Sequence, residues 1–201
     1  PVVPTELAKN REEAISLAHE MGFPLALKIC SPDIVHKSDV GGVQLQLHSA
    51  DAVGHAFDTI IDTVQTTRPQ ARIDGVSVQP MAKPGIEVII GLITDPQFGP
   101  LVMFGLGGIS VEVLQDVAFR LAPLTAADAR EMIHELQGLP LLTGHRGQSA
   151  ADLSALEELL HQVSRLVETC SDIIELDLNP VFAYADGCLA VDSRIVLHAD
   201  S

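Results

Sequence analysis

The chain has 201 residues, 47% hydrophobic and 19% charged, a balance that excludes a disordered chain and suits one large domain or two small lobes. Twenty-seven acidic against 12 basic residues give a formal net charge of −15, a field that repels nucleic acid and that no basic stripe offsets. No apolar run reaches the ~18 residues of a membrane span and no signal segment opens the chain, so no membrane partner and a cytoplasmic setting are expected.

Asn10 three residues before Glu13 reads as a capping box. Ala14, Ile15, Ala18 and Met21 follow at helical spacing, and Gly22 supplies the stop. An apolar strand over 24–29 comes next, interrupted by one charge, Lys28. After it, Ser31-Pro32 opens a polar segment that holds His36, Lys37 and Asp39 and ends at Gly41-Gly42. Val43, Leu45 and Leu47 alternate with Gln44, Gln46 and His48, which predicts a half-buried strand. Ser49 or Asp51 caps a second helix whose apolar face is Val53, Ala56, Phe57, Ile60, Ile61 and Val64; it ends before Pro69.

Strands are predicted over 76–79 and 87–93, joined by Pro80-Met81-Ala82-Lys83-Pro84-Gly85, and over 101–104 after the Asp95–Pro100 turn. Gly105-Leu106-Gly107-Gly108 ends the last of these. Thr125 with Asp128, and Ser149 with Asp152, mark two more helix starts. A strand over 173–178 precedes a hairpin, 181–184 with 189–192, about Asp186-Gly187. Adjacent antiparallel pairs favour an α+β arrangement over a doubly wound parallel sheet. The linker at 65–73 is the expected boundary, giving lobes 1–68 and 74–201. The three cysteines are odd in number and lack C-x-x-C spacing, so they are read as reduced and mostly buried. The chain begins at Pro1 rather than Met and is expected to belong to something longer.

Each chemical signal has an ordinary alternative. Strand lysines commonly snorkel to solvent, and loop histidines are commonly just exposed. The glycine turn over 105–108 could present backbone N–H groups to an anion, or it could simply be a tight turn. It does not fit G-x-G-x-x-G, because Ser110 stands where the third glycine is needed. Strand alternation puts Glu175, Asp177 and Asn179 on one face, with Asp192 reachable from the neighbouring strand. Such oxygen donors suit Mg2+, but carboxylates also decorate solvated sheet faces. No nucleophile elbow and no Cys/His metal knot occurs, so hydrolase and zinc readings lack support.

Five stretches together carry a resemblance: Lys28-Ile29, the run from Ser31 through His36-Lys37-Ser38-Asp39 to Val43, Asp95-Pro96-Gln97-Phe98-Gly99-Pro100, Phe104-Gly105-Leu106-Gly107-Gly108, and Glu175-Leu176-Asp177-Leu178-Asn179-Pro180. In this order, over nearly the whole chain, they resemble the ATP-grasp domain of ADP-forming acetyl-CoA (acyl-CoA) synthetases, relatives of succinyl-CoA synthetase. The resemblance implies two α+β lobes with ATP or ADP and Mg2+ between them. It implies that Lys28 contacts the α/β-phosphates, that Gln79, Pro80 and Met81 form the adenine hinge, and that Glu87 lies in the nucleotide cleft. It further implies that Gly107 and Gly108 approach the transferred phosphate and that Asn179 and Asp192 hold Mg2+.

His36 matches the family's phosphate-shuttling histidine, which receives phosphate from a partner CoA-binding/ligase domain or α subunit and passes it to ADP. A neutral imidazole is a competent nucleophile at pH 7, and Pro32 with Gly41-Gly42 are expected hinge points for its loop. The expected activity is an acid-thiol ligase, incomplete in this chain alone and belonging to a hetero- or homo-oligomer. The alternative is an ATP-grasp-like regulatory module of a protein lysine acetyltransferase.

Overall fold

Local capping chemistry starts the helices. Asn10 accepts from the Glu13 N–H and caps α1 (Arg11–Met21), and Ser49 accepts from the Ala52 N–H and caps α2 (Ala50–Thr67). Both helices pack on a four-stranded antiparallel sheet of β1 (Glu6–Ala8), β2 (Leu25–Cys30), β3 (Val43–Leu47) and β4 (Gly75–Pro80), in the order β1-β4-β2-β3. Leu25, Leu27, Ile29, Val76 and Val78 share one sheet face, and with Ala14, Ala18, Val53, Phe57, Ile60 and Val64 of the helices they form a buried core. The computed structural model describes residues 1–108, 116–144 and 149–198, in two units: Val3–Lys83, and Pro84–Ser201 with Pro1–Val2.

The second unit is a six-stranded antiparallel sheet. Its strands are β5 (Ile86–Asp95), β6 (Gly99–Leu106), β7 (Val117–Leu121), β8 (Ile173–Tyr184), β9 (Gly187–Ala190) and β10 (Ser193–Leu197), ordered β10-β8-β5-β6-β7 with β9 paired to β8. One face packs against α3 (Ala126–Glu135), the short α4 (Leu139–Leu142) and α5 (Leu153–Thr169), burying Ile90, Phe104, Met132, Ile133, Leu156 and Leu160 completely. Thr125 and Asp128 form the expected capping box on α3.

The structure differs from the sequence reading in several places, among them the hairpin's second strand, which is Gly187–Ala190 rather than 189–192 and leaves Asp192 between strands. The units divide after Lys83, not within 65–73, because β4 pairs along its whole length with β2 and so belongs to the first unit. In β3, Leu45 and Gln46 together oppose one residue of β2, and Gln46 takes φ 58°; this bulge breaks the alternation and leaves Leu45 54% exposed. The cap of α5 is Asp152, which accepts from the Ala155 N–H, rather than Ser149. Of the cysteines only Cys188 is buried, and burial pushes its thiol pKa up; Cys170 is exposed. Among the described residues no helix is long and apolar enough to cross a membrane.

Candidate functional site

The singled-out residues fall into two groups, one in each unit. In the first, Lys28 lies in the middle of β2, opposite Val43 of β3 and Ser77 of β4. Since Leu27 and Ile29 face the helices, alternation turns Lys28 to the other face of the sheet, where it is 8% exposed. Gln79 pairs with Ala26, two residues before Lys28, and so shares that face; it is 4% exposed. Pro80 is opposite Leu25, and the Met81 N–H donates to the Pro24 carbonyl at 3.0 Å, which carries the β2–β4 pairing one step past the strand end. Lys28 and Gln79 are thus brought to one face of one sheet, with Pro80 and Met81 at its end.

His36 is exposed on the segment between β2 and β3, and that segment is held at several points. Ser31 Oγ accepts from the Asp33 N–H at 3.1 Å, and Asp33 Oδ2 accepts from the Arg72 N–H at 2.7 Å. Arg72 in turn is held above its ordinary pKa, chiefly by its hydrogen bond to Asp74 and to a lesser degree by Asp33. Ile34 and Val40, on either side of His36, are both 7% exposed and join the core of this unit. A single turn of 3-10 helix (Ser38–Val40) follows His36, and the Gly42 N–H donates to the Lys37 carbonyl at 2.8 Å.

Gly41 and Gly42 have packing reasons beyond any hinge. Gly41 takes φ 68°, and a β-carbon on Gly42 would come within 2.5 Å of Ile29 Cγ2 and 2.9 Å of the Lys37 carbonyl oxygen. Burial of flanking apolar residues, rather than hydrogen bonds of its own ring, is what presents the imidazole.

In the second unit, Glu87 near the start of β5 is exposed and lies against the glycine turn. The Gly107 N–H donates to the Glu87 carbonyl at 2.6 Å, and a β-carbon at Gly107 would sit 2.8 Å from Glu87 Cβ. Gly108, at φ 66°, approaches the Glu87 carboxylate, whose Oε2 would be 3.1 Å from an added β-carbon. Only glycine fits both the contact at 107 and the backbone at 108. The turn therefore brings Glu87, Gly107 and Gly108 together; residues 109–115, including Ser110, lie outside the described residues.

Asn179 and Asp192 are joined by a hydrogen bond from the Asn179 N–H to the Asp192 carbonyl at 3.1 Å. They meet because β8 bulges there. Val88 of β5 opposes Val181 and Ile90 opposes Leu178, so Asn179 and Pro180 together face one residue. The bulge shifts the buried positions of β8 from Leu176 and Leu178 to Val181 and Ala183. Asp192 also accepts from the Ser193 N–H at 2.9 Å. Glu175, expected on the same face, forms an ion pair with Arg194 at 2.9 Å. The side chains at 179 and 192 offer an amide oxygen and a carboxylate, a hard all-oxygen pair that fits Mg2+ and would leave its other positions to water and phosphate. A cavity of about 470 Å3 in this unit, lined by Pro84, Ile86, Leu141, Ala151 and Tyr184, contains none of these residues.

Sequence reasoning missed Asp116, which is 7% exposed and accepts two backbone hydrogen bonds beside the glycine turn. An acid between Gln115 and Val117, with none of its backbone partners nearby in the chain, carries no spacing signal.

Known proteins resemble this chain over nearly its whole length. A family model described as an ATP-grasp domain matches residues 1–197. The β subunit of acetate–CoA ligase (ADP-forming) I from Pyrococcus furiosus is 46% identical over 197 residues, covering 98% of this chain and 85% of the relative. The dinucleotide-forming acetyl-coenzyme A synthetase 1 of Ca. Korarchaeum cryptofilum, solved with coenzyme A, Ca-AMPCP and HgCl+, matches with a TM-score of 0.95 at 50% identity, over 98% of this chain and 86% of that one. A selenomethionine form of that protein holds coenzyme A and Mg-AMPPCP, its phosphohistidine segment pointing towards the nucleotide binding site. It matches with a TM-score of 0.83 at 46% identity, over 98% and 85% of the two chains.

Proposed function

This chain belongs to the ATP-grasp domain family, and we propose that it is the nucleotide-handling portion of an ADP-forming acyl-CoA synthetase, passing phosphate between a phosphohistidine and ADP or ATP. The observation that carries this reading is His36, exposed on a segment tethered at Asp33, Ile34 and Val40, in a chain that matches a ligase β subunit over 98% of its length. The alternative of a regulatory module in a lysine acetyltransferase finds no support among these relatives.

In this reading a ring nitrogen of His36 attacks phosphorus, the N–P bond forms as the bond to the leaving oxygen breaks, and the reverse step delivers phosphate to ADP. Lys28, fixed in mid-strand, holds the nucleotide phosphates, and Gln79, Pro80 and Met81 receive the adenine. The Gly107-Gly108 turn approaches the phosphoryl oxygens, held in place by the bond from the Gly107 N–H to the Glu87 carbonyl. Asn179 and Asp192 would hold Mg2+, which when bound neutralises charge between phosphates. Positioning and charge neutralisation do most of the work of phosphoryl transfer, so a site of few, well-anchored groups suffices. The acyl and CoA chemistry belongs to a CoA-binding partner, a separate subunit or a fused domain.

Incubation with γ-labelled ATP, Mg2+ and the CoA-binding partner tests the reading. Acid-labile, base-stable label on this chain that disappears in His36→Ala is expected. Absence of label with partner and CoA both present would reduce the chain to a binding module.

A further inference from the structure

Asp116 is one of few buried charged side chains among the described residues, and no role in nucleotide handling is assigned to it above. It precedes β7, whose Val117 pairs with Gly105 at the end of β6. Its two carboxylate oxygens accept from consecutive backbone N–H groups, Gln137 at 2.9 Å and Gly138 at 2.7 Å, in the connection between α3 and α4. Consecutive N–H groups of this kind make an anion-binding nest, and here the anion is the protein's own carboxylate.

The same connection grips β6 directly. A β-carbon at Gly138 would overlap Leu106 Cδ1 and lie 3.1 Å from Asp116 Oδ2, and one at Gly105 would lie 3.1 Å from the Asp116 carbonyl oxygen. Leu106 is the last residue before the Gly107-Gly108 turn and is 3% exposed. Leu106, Asp116 and Gly138 thus form one close-packed knot from which the glycine turn projects towards Glu87.

We infer that Asp116 is a positioning residue for phosphoryl transfer: by filling the nest at Gln137 and Gly138 it fixes the end of β6 and, through it, the Gly107-Gly108 turn. This rests on the reading in which that turn approaches the phosphoryl oxygens. An oriented turn contributes only while it is held in place, so a small displacement shows in turnover before it shows in nucleotide binding. Asparagine at 116 would turn an amide N–H2 towards one of the two donors and lose that bond.

The test uses the complete enzyme with its CoA-binding partner, assayed at a temperature where circular dichroism shows each variant folded. Asp116→Asn is expected to lower kcat roughly tenfold or more while KM for ADP stays within about twofold. Gln137→Pro removes one donor at a site whose preceding residue, Leu136, already has the extended backbone (φ −64°, ψ 132°) that proline requires. It is expected to reproduce the kcat loss and serves if Asp116→Asn does not fold. A lower Tm with unchanged kcat in whichever variant folds would overturn the inference and leave Asp116 a stability element. Gly107→Ala separates the two readings. If it leaves turnover intact, the glycine turn is not at the phosphate and both fall; if it abolishes turnover while the Asp116 and Gln137 variants keep theirs, only the positioning role fails.

Discussion

Asn179 and Asp192 are tied backbone to backbone at 3.1 Å, at the one point where β8 bulges against β5. The bulge reverses which residues of β8 face the helices, so the 179–180 step is where the strand can turn a polar side chain to the opposite face without unpairing. If the pair holds Mg2+ with nucleotide, Asn179→Ala and Asp192→Ala should each weaken Mg2+-dependent nucleotide binding about tenfold, roughly 1.4 kcal/mol. Titration calorimetry with Mg-AMPPCP reads this directly, and the same titration in EDTA should show little difference between variants and wild type. Equal affinity with Mg2+ present would remove both residues from the metal site.

Gly42 is the tightest point of the segment that presents His36. An added β-carbon meets Ile29 Cγ2 at 2.5 Å and the Lys37 carbonyl oxygen at 2.9 Å, the oxygen that the Gly42 N–H itself bonds. Relief of that contact must shift backbone, so Gly42→Ala should cost about 1–3 kcal/mol in urea unfolding. Gly187→Ala is no suitable control despite its open surroundings, because its φ of 135° strains any β-carbon. An unchanged unfolding midpoint in Gly42→Ala would mean the segment is not packed as described.

The parts of this fold that were readable in the sequence are those decided by neighbours in the chain. Asn10, Ser49 and the Thr125–Asp128 box cap their helices because an N-cap bond spans only two or three residues. The apolar runs of β5 and β6 announce themselves because their side chains meet a helix layer. The unit boundary was misplaced because β4 is claimed by β2, some 50 residues earlier, and no local composition records that pairing. Leu45 was misread because a bulge changes the period of a strand without changing its residues. For the candidate site, a resemblance singles out the lysine, histidine and glycines, whereas the bond between the Asn179 and Asp192 backbones needs the register of β8. The Asp116 nest was invisible, since its partners are backbone N–H groups 21 and 22 residues away.

The capping box predicts a small pH dependence. Asp128 accepts from the Thr125 hydroxyl at 2.6 Å and from the Thr125 N–H at 2.8 Å, and these bonds, the hydroxyl first, hold its pKa below 3.8. A carboxyl whose folded pKa is depressed stabilises the fold above its unfolded value and loses that contribution as pH falls through the folded one. Wild-type stability should therefore fall off below about pH 3.8, and Asp128→Asn should flatten that part of the profile while leaving its slope near neutrality unchanged. Thermal unfolding from pH 2 to 7 measures both; identical acid slopes would show that the bonds do not favour the ionised form.

Lys28 offers the sharpest separation between a structural and a nucleotide-binding role. It lies opposite Val43 and Ser77, on the sheet face shared with Gln79, and is only 8% exposed. Lys28→Met keeps an unbranched chain of similar reach and removes the charge. If the ammonium holds phosphate, Mg-AMPPCP affinity should fall by about 1.4 kcal/mol or more, a factor of ten. Adenosine, which has no phosphate for the ammonium to hold, should bind the variant and wild type alike. Equal loss for both ligands would mean that Lys28 shapes the strand face as a whole, and equal retention for both would take it out of the site.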